Sequence, residues 1–89
     1  MLSTQLRAAQ APLKERYRSE PATARVTSVA HAELLPGQVA CRVQMGETAV
    51  IAGLHPATGG DGSERCSGDI LLEALVACAG VTLSAVATA

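Results

Sequence analysis

The residues of this chain best equipped for chemistry are its cysteines, Cys41, Cys66 and Cys78, because a thiol readily supplies a nucleophilic thiolate. Cys66 stands just before the apolar run Ser67–Ala89 and beside Arg65. A helix that begins there presents unpaired N–H groups and its positive dipole end, an environment that favours the reactive anion. Cys78 falls near the middle of the run. At about 100° per residue it shares a face with Leu71, Ala74, Leu75, Val81, Thr82 and Ala85, while Asp69, Glu73, Ala77, Gly80, Ser84 and Thr88 line the opposite face. Read by spacing alone, Cys78 packs as a small hydrophobe, with only the Thr82 hydroxyl within reach of a thiolate. Twelve helical residues rise about 18 Å, whereas a disulfide needs Cα atoms within about 7 Å, so a continuous helix excludes a Cys66–Cys78 bond within one chain.

Other chemistries find little support. His55 with Cys66 and Cys78 lacks the close ligand pairs of a zinc site, so no metal is expected. The loop Gly53–Ser67, G-L-H-P-A-T-G-G-D-G-S-E-R-C-S, carries four glycines before Ser63, but no Lys follows them and no dinucleotide fingerprint occurs. No cofactor is expected either. Formal net charge is −1, the cations Arg7, Lys14, Arg16, Arg18 and Arg25 are interspersed with Glu15 and Glu20, and Tyr17 is the only aromatic residue. A nucleic-acid partner is therefore not expected, since neither a basic surface nor a stacking platform is present. The first residues lack a continuous apolar signal core, which predicts a cytoplasmic, reducing setting with free cysteines.

These thiols depend on the elements that carry them. Ser67–Ala89 predicts a helix: it contains no Pro, Ala and Leu dominate, Ser67 can cap it, and Asp69 and Glu73 suit the dipole. Being apolar nearly all round, such a helix is either fully buried or a membrane span. Glu73, the many small residues and the lack of any cation after Leu72 favour burial over a membrane. With no Phe or Trp, the rest of the chain has little with which to cover the run, which predicts an oligomer.

Upstream, Thr4–Arg18 suits a helix capped by Thr4, with Leu6, Ala9, Leu13 and Tyr17 on one stripe. Pro12 makes two short helices an equal alternative. Ala24–Leu34 alternates as a strand, with Val26, Ser28, Ala30, Ala32 and Leu34 on one face. Leu35-Pro36-Gly37-Gln38 fits a type II turn. Val39, Cys41, Val43 and Met45 then point inward from a second strand, Gly46-Glu47 suits a II′ turn, and Thr48–Ala52 forms a third, burying either Val50 and Ala52 or Ala49 and Ile51. Gly53–Ser67 reads as one long loop.

The stretch from Gly53 through Leu83, with its glycine-rich loop, its long apolar helix, Ala77-Cys78 and Val81-Thr82-Leu83, resembles the OsmC/Ohr family of thiol-dependent organic hydroperoxide reductases. The resemblance implies an α+β, OsmC-like fold with an N-terminal helix, a three-stranded antiparallel meander and a long buried central helix. It divides the chain into an N-terminal helical segment, 1–23, and the first half of the domain, 24–89. The family's C-terminal half is then absent, and the lack of a C-terminal stop signal fits a truncated domain. The resemblance further implies an intertwined homodimer, a hydroperoxide substrate, an external thiol reductant and Cys78 as the peroxidatic residue. Where the reductases carry a Glu, this chain has Gly68, with Asp69 next to it, and no Arg among Arg16, Arg18 and Arg25 matches the family's arginine. The family's resolving cysteine lies in the half not represented, which leaves Cys66 across a dimer, or an external thiol, for that step. A non-catalytic dimerising module is the alternative, and a tail-anchored membrane protein a more distant one.

Overall fold

The computed structural model describes Met1–Ala89 and is an α+β arrangement of two helices and a four-stranded mixed sheet. Its backbone falls into two units, Met1–Ser28 with Cys78–Ala89, and Val29–Ala77.

The second unit is built on the strands β1 (Ala32–Leu34), β2 (Ala40–Met45), β3 (Thr48–Gly53) and β4 (Arg65–Cys66), ordered β1-β2-β3-β4. The first three form the expected antiparallel meander. Its turns follow local chemistry. Leu35 accepts a hydrogen bond from the Gln38 N–H at 3.3 Å and Gly37 has φ +74°, as a type II turn requires; Gly46 has φ +60° between the paired Met45 and Thr48, as a II′ turn requires. Pairing Ala32 with Val43 and Val50, and Leu34 with Cys41 and Ala52, puts these apolar residues on one face. Val50 and Ala52, not Ala49 and Ile51, belong to that face. Ala52, 6% exposed, is the one buried apolar residue of the chain.

Two expectations change here. The strand Ala24–Leu34 contracts to Ala32–Leu34, because the β1–β2 register brings Met45 opposite residue 30 and the chain turns at Gly46. The last bond of the ladder runs from the Gln44 N–H to the His31 carbonyl at 3.1 Å, and residues before it have no neighbouring strand. The stretch Gly53–Ser67 is not simply a loop: Arg65 and Cys66 pair in parallel with Ala52 and Gly53. Two residues are too few to show an alternation. Between β3 and β4 the chain is tied locally. His55 accepts the Ala57 N–H on Nδ1 at 2.9 Å, and its carbonyl accepts N–H groups from Thr58 at 2.9 Å and Gly60 at 3.1 Å. A Cβ on Gly60 would lie 1.9 Å from the Leu54 carbonyl oxygen, so only glycine fits.

In the first unit, α1 (Ser3–Ser19) is one continuous helix with Pro12 inside it, not two helices. Pro12 removes the donor for the Ala8 carbonyl, and the flanking Ala, Leu, Lys and Arg residues sustain the helix around it. Thr4 is not its cap: Leu2 precedes the helix, and its N–H donates to Gln5 Oε1 at 2.7 Å. Of the expected stripe only Leu6 is half-buried, while Leu13 and Tyr17 are exposed. The helix gives way before a short 3₁₀ turn, Pro21–Ala24.

The long helix α2 (Ser67–Thr88) runs from one unit into the other and has no buried residue. The expectation of a buried central helix therefore fails within this chain. Leu71, Leu72, Leu75 and Val76 are 64–73% exposed, and Val81, Leu83 and Val86 are 70–71% exposed. The other elements offer few large apolar side chains to cover the helix, since the chain has no Phe or Trp and Ala52 is its one buried apolar residue. With a mean hydropathy of 2.1 over its best window, α2 is long and apolar enough to cross a membrane, a property that core helices share.

Candidate functional site

Cys66 is held by β4 at the entrance to α2. Its register partner Gly53 faces Ala40 across β3 and β2, so Cys66 lies on the sheet face of Ala40, Arg42 and Ile51, opposite the face that carries Cys41. The side chain is half-buried, with Sγ 3.7 Å from where a Cβ on Gly68 would stand. Its sequence neighbour Arg65 has a partner of its own. Successive strand residues point to opposite faces, and the Arg65 guanidinium donates to the Glu73 carboxylate on α2. The charge read from sequence as adjacent to the thiol is thus paired with a carboxylate. What Cys66 retains is its place beside the first turn of α2, where the helix N–H groups are unpaired.

Cys78 is exposed, eleven residues into the helix, and no side chain of the chain hydrogen-bonds to its sulfur, Thr82 included. All three cysteines are free. Because α2 is continuous from Ser67, about 16 Å of helical rise lies between Cys78 and the residue that follows Cys66, so neither thiol can reach the other within one chain. The structure does not bring the sequence-predicted pair together. Chemically it offers two separate thiols, one at a helix entrance and one on an apolar flank.

An open cleft of about 320 Å³ lies elsewhere in the sheet unit, bounded by Gln38, Gly53, Leu54, Gly60, Asp61 and Glu64, and no cysteine lines it. On its rim the Asp61 carboxyl is held below its ordinary value of 3.8, chiefly by the Ser63 hydroxyl at 2.6 Å and then by the Ser63 N–H at 2.9 Å. This turn was not anticipated from sequence, although Asp-Gly-Ser is a spacing in which an Asp side chain bonds the backbone two residues on. The Arg65–Glu73 pair was missed because an eight-residue separation that spans a strand and a helix follows no simple periodicity. No three His, Cys, Asp or Glu side chains converge as a metal-ligand set. No family model matches the chain, no curated protein matches it, and no solved structure matches it.

Proposed function

We propose that this chain is an OsmC/Ohr-like, thiol-dependent hydroperoxide reductase of the cytoplasm that works as a homodimer, with Cys78 as the attacking thiol. The observation that carries the reading is the setting of Cys78, an accessible sulfur on the uncovered apolar flank of α2. In the reaction the Cys78 thiolate attacks the distal oxygen of an organic hydroperoxide. The S–O bond forms as the O–O bond breaks, the alkoxide takes a proton and leaves as an alcohol, and the cysteine becomes a sulfenic acid. A thiol then condenses with it, releasing water, and a second thiol reduces the mixed disulfide. An external thiol, or Cys66 of a second copy, fills the first of these roles. An apolar flank favours a lipophilic hydroperoxide over hydrogen peroxide.

A specific observation favours a second reading, a dimerising module without catalysis. Within the chain no side chain hydrogen-bonds to Cys78, the resemblance puts Gly68 where the family has a Glu, and Arg65 is tied to Glu73. Consumption of cumene hydroperoxide in the presence of a dithiol separates the two. The reductase reading predicts turnover that Cys78→Ser abolishes and Cys66→Ser slows or leaves intact. Turnover no faster than the dithiol alone supports the module.

A further inference from the structure

We propose that Arg25–Leu34 is an interface strand that pairs antiparallel with the same segment of a second copy, in a register centred on Val29. β1 is the outer strand of the sheet, so one edge of Ala32–Leu34 has no partner in this chain, and the residues before His31 have none on either side. The segment nevertheless places Val26, Ala30, Ala32 and Leu34 on one face, an alternation broken only at Ser28 and Val29. Val26, Val29 and Leu34 are 80%, 71% and 87% exposed. Between Pro21 and Pro36 there is no Pro, no Gly and no Lys to blunt this edge, and its two charges, Arg25 and Glu33, are of opposite sign.

Register follows from side-chain chemistry. A pairing that keeps both copies' apolar residues on one face must centre on a residue rather than between two, because a one-residue slip exchanges the faces. Centred on Val29, Arg25 stands opposite Glu33 at two symmetry-related places, Val26 opposite Ala32, Ser28 opposite Ala30, and Val29 opposite itself. Centred on Ala30, Glu33 meets Thr27; centred on Ser28, it meets Thr23. Only the first register matches the segment's opposite charges. The two-fold axis is then perpendicular to the sheet, and Ala32, Cys41, Val43 and Val50 of both copies lie on the same side. A second copy is the occupant because the segment is complementary to itself.

The inference rests on the homodimer of the preceding reading for its partner and adds the strand that joins it. Sedimentation equilibrium of the full chain tests it by charge exchange. Arg25→Glu and Glu33→Arg each set like charges opposite one another and are expected to raise the dimer dissociation constant about tenfold, and the double variant to return it to within about twofold of the parent. Val29→Cys is expected to form a disulfide-linked dimer under mild oxidation, since directly opposed Cα atoms lie about 4.5–5.5 Å apart, and Val26→Cys to form none. A chain that does not dimerise, additive losses in the double variant, or equal cross-linking at both positions would overturn the pairing. Hydroperoxide turnover is measured on the same samples, so a dimer that ignores the charge exchange but still consumes peroxide removes this register and leaves the reductase reading standing.

Discussion

The sheet with its connecting loop and the helix α2 satisfy opposite halves of the folding problem. From Ala32 to Cys66 the polar groups find local partners: the strands are laddered, His55 accepts three backbone donors through its ring and carbonyl, and Asp61 accepts both donors of Ser63. Hydrophobic burial in the same region is slight, with Ala52 alone buried. α2 closes its backbone bonds internally and leaves seven large apolar side chains between 64% and 73% exposed. At about 1.5 kcal/mol or more for each Val or Leu fully buried, covering them is worth on the order of 10 kcal/mol, comparable to the whole stability of a domain. The difference teaches that hydrogen bonding shapes the sheet unit, while α2 leaves most of its apolar surface uncovered within this chain.

Substitutions on the two sides of this comparison act differently. Gly60→Val brings a side chain into the Leu54 carbonyl and is expected to destabilise the sheet unit by about 3 kcal/mol, read as a lower urea midpoint at any protein concentration. A loss below about 0.5 kcal/mol would mean that the loop is not fixed as described. Leu75→Asp sits on the exposed flank of α2 and is expected to cost about 2 kcal/mol, but only at concentrations where copies associate. A loss that does not depend on concentration would show that the flank is covered within the chain.

The smallest effect concerns pH. Because the folded Asp61 carboxyl lies below its ordinary value of 3.8, its hydrogen bonds to Ser63 stabilise the turn fully above that value. The contribution is lost as pH falls through the lower, folded value. Asp61→Ala is therefore expected to flatten part of the decline in urea midpoint below about pH 4, with little change in slope near neutrality. An unchanged acid decline in the variant would remove the local tie.

Much of this contrast is legible in the sequence. Alternation in Ala40–Met45, a Pro-Gly turn and a Gly-Glu turn specify the meander, and the unbroken Ala- and Leu-rich run specifies α2 almost to its last residue. The extent of the first strand is not legible, because a hairpin's length, not the segment's own pattern, decides where its partner ends. Nor is β4, which exists only through its parallel neighbour. Pro12 misleads since a helix can lose one bond and continue when its flanking residues favour it. At the candidate site the sequence places Cys66 at the head of α2 and Cys78 on its apolar flank. It does not reveal that Arg65 turns to Glu73, because that depends on which sheet face each residue takes.

The central claim is that the sulfur on the flank of α2 reduces peroxide. One equivalent of cumene hydroperoxide, added to the reduced full chain in the presence of dimedone and followed by peptide mass spectrometry, tests it directly. The account predicts a dimedone adduct on the peptide containing Cys78, formed ahead of any on Cys66 or Cys41. A Cys78 peptide that remains a free thiol while the peroxide persists would contradict it.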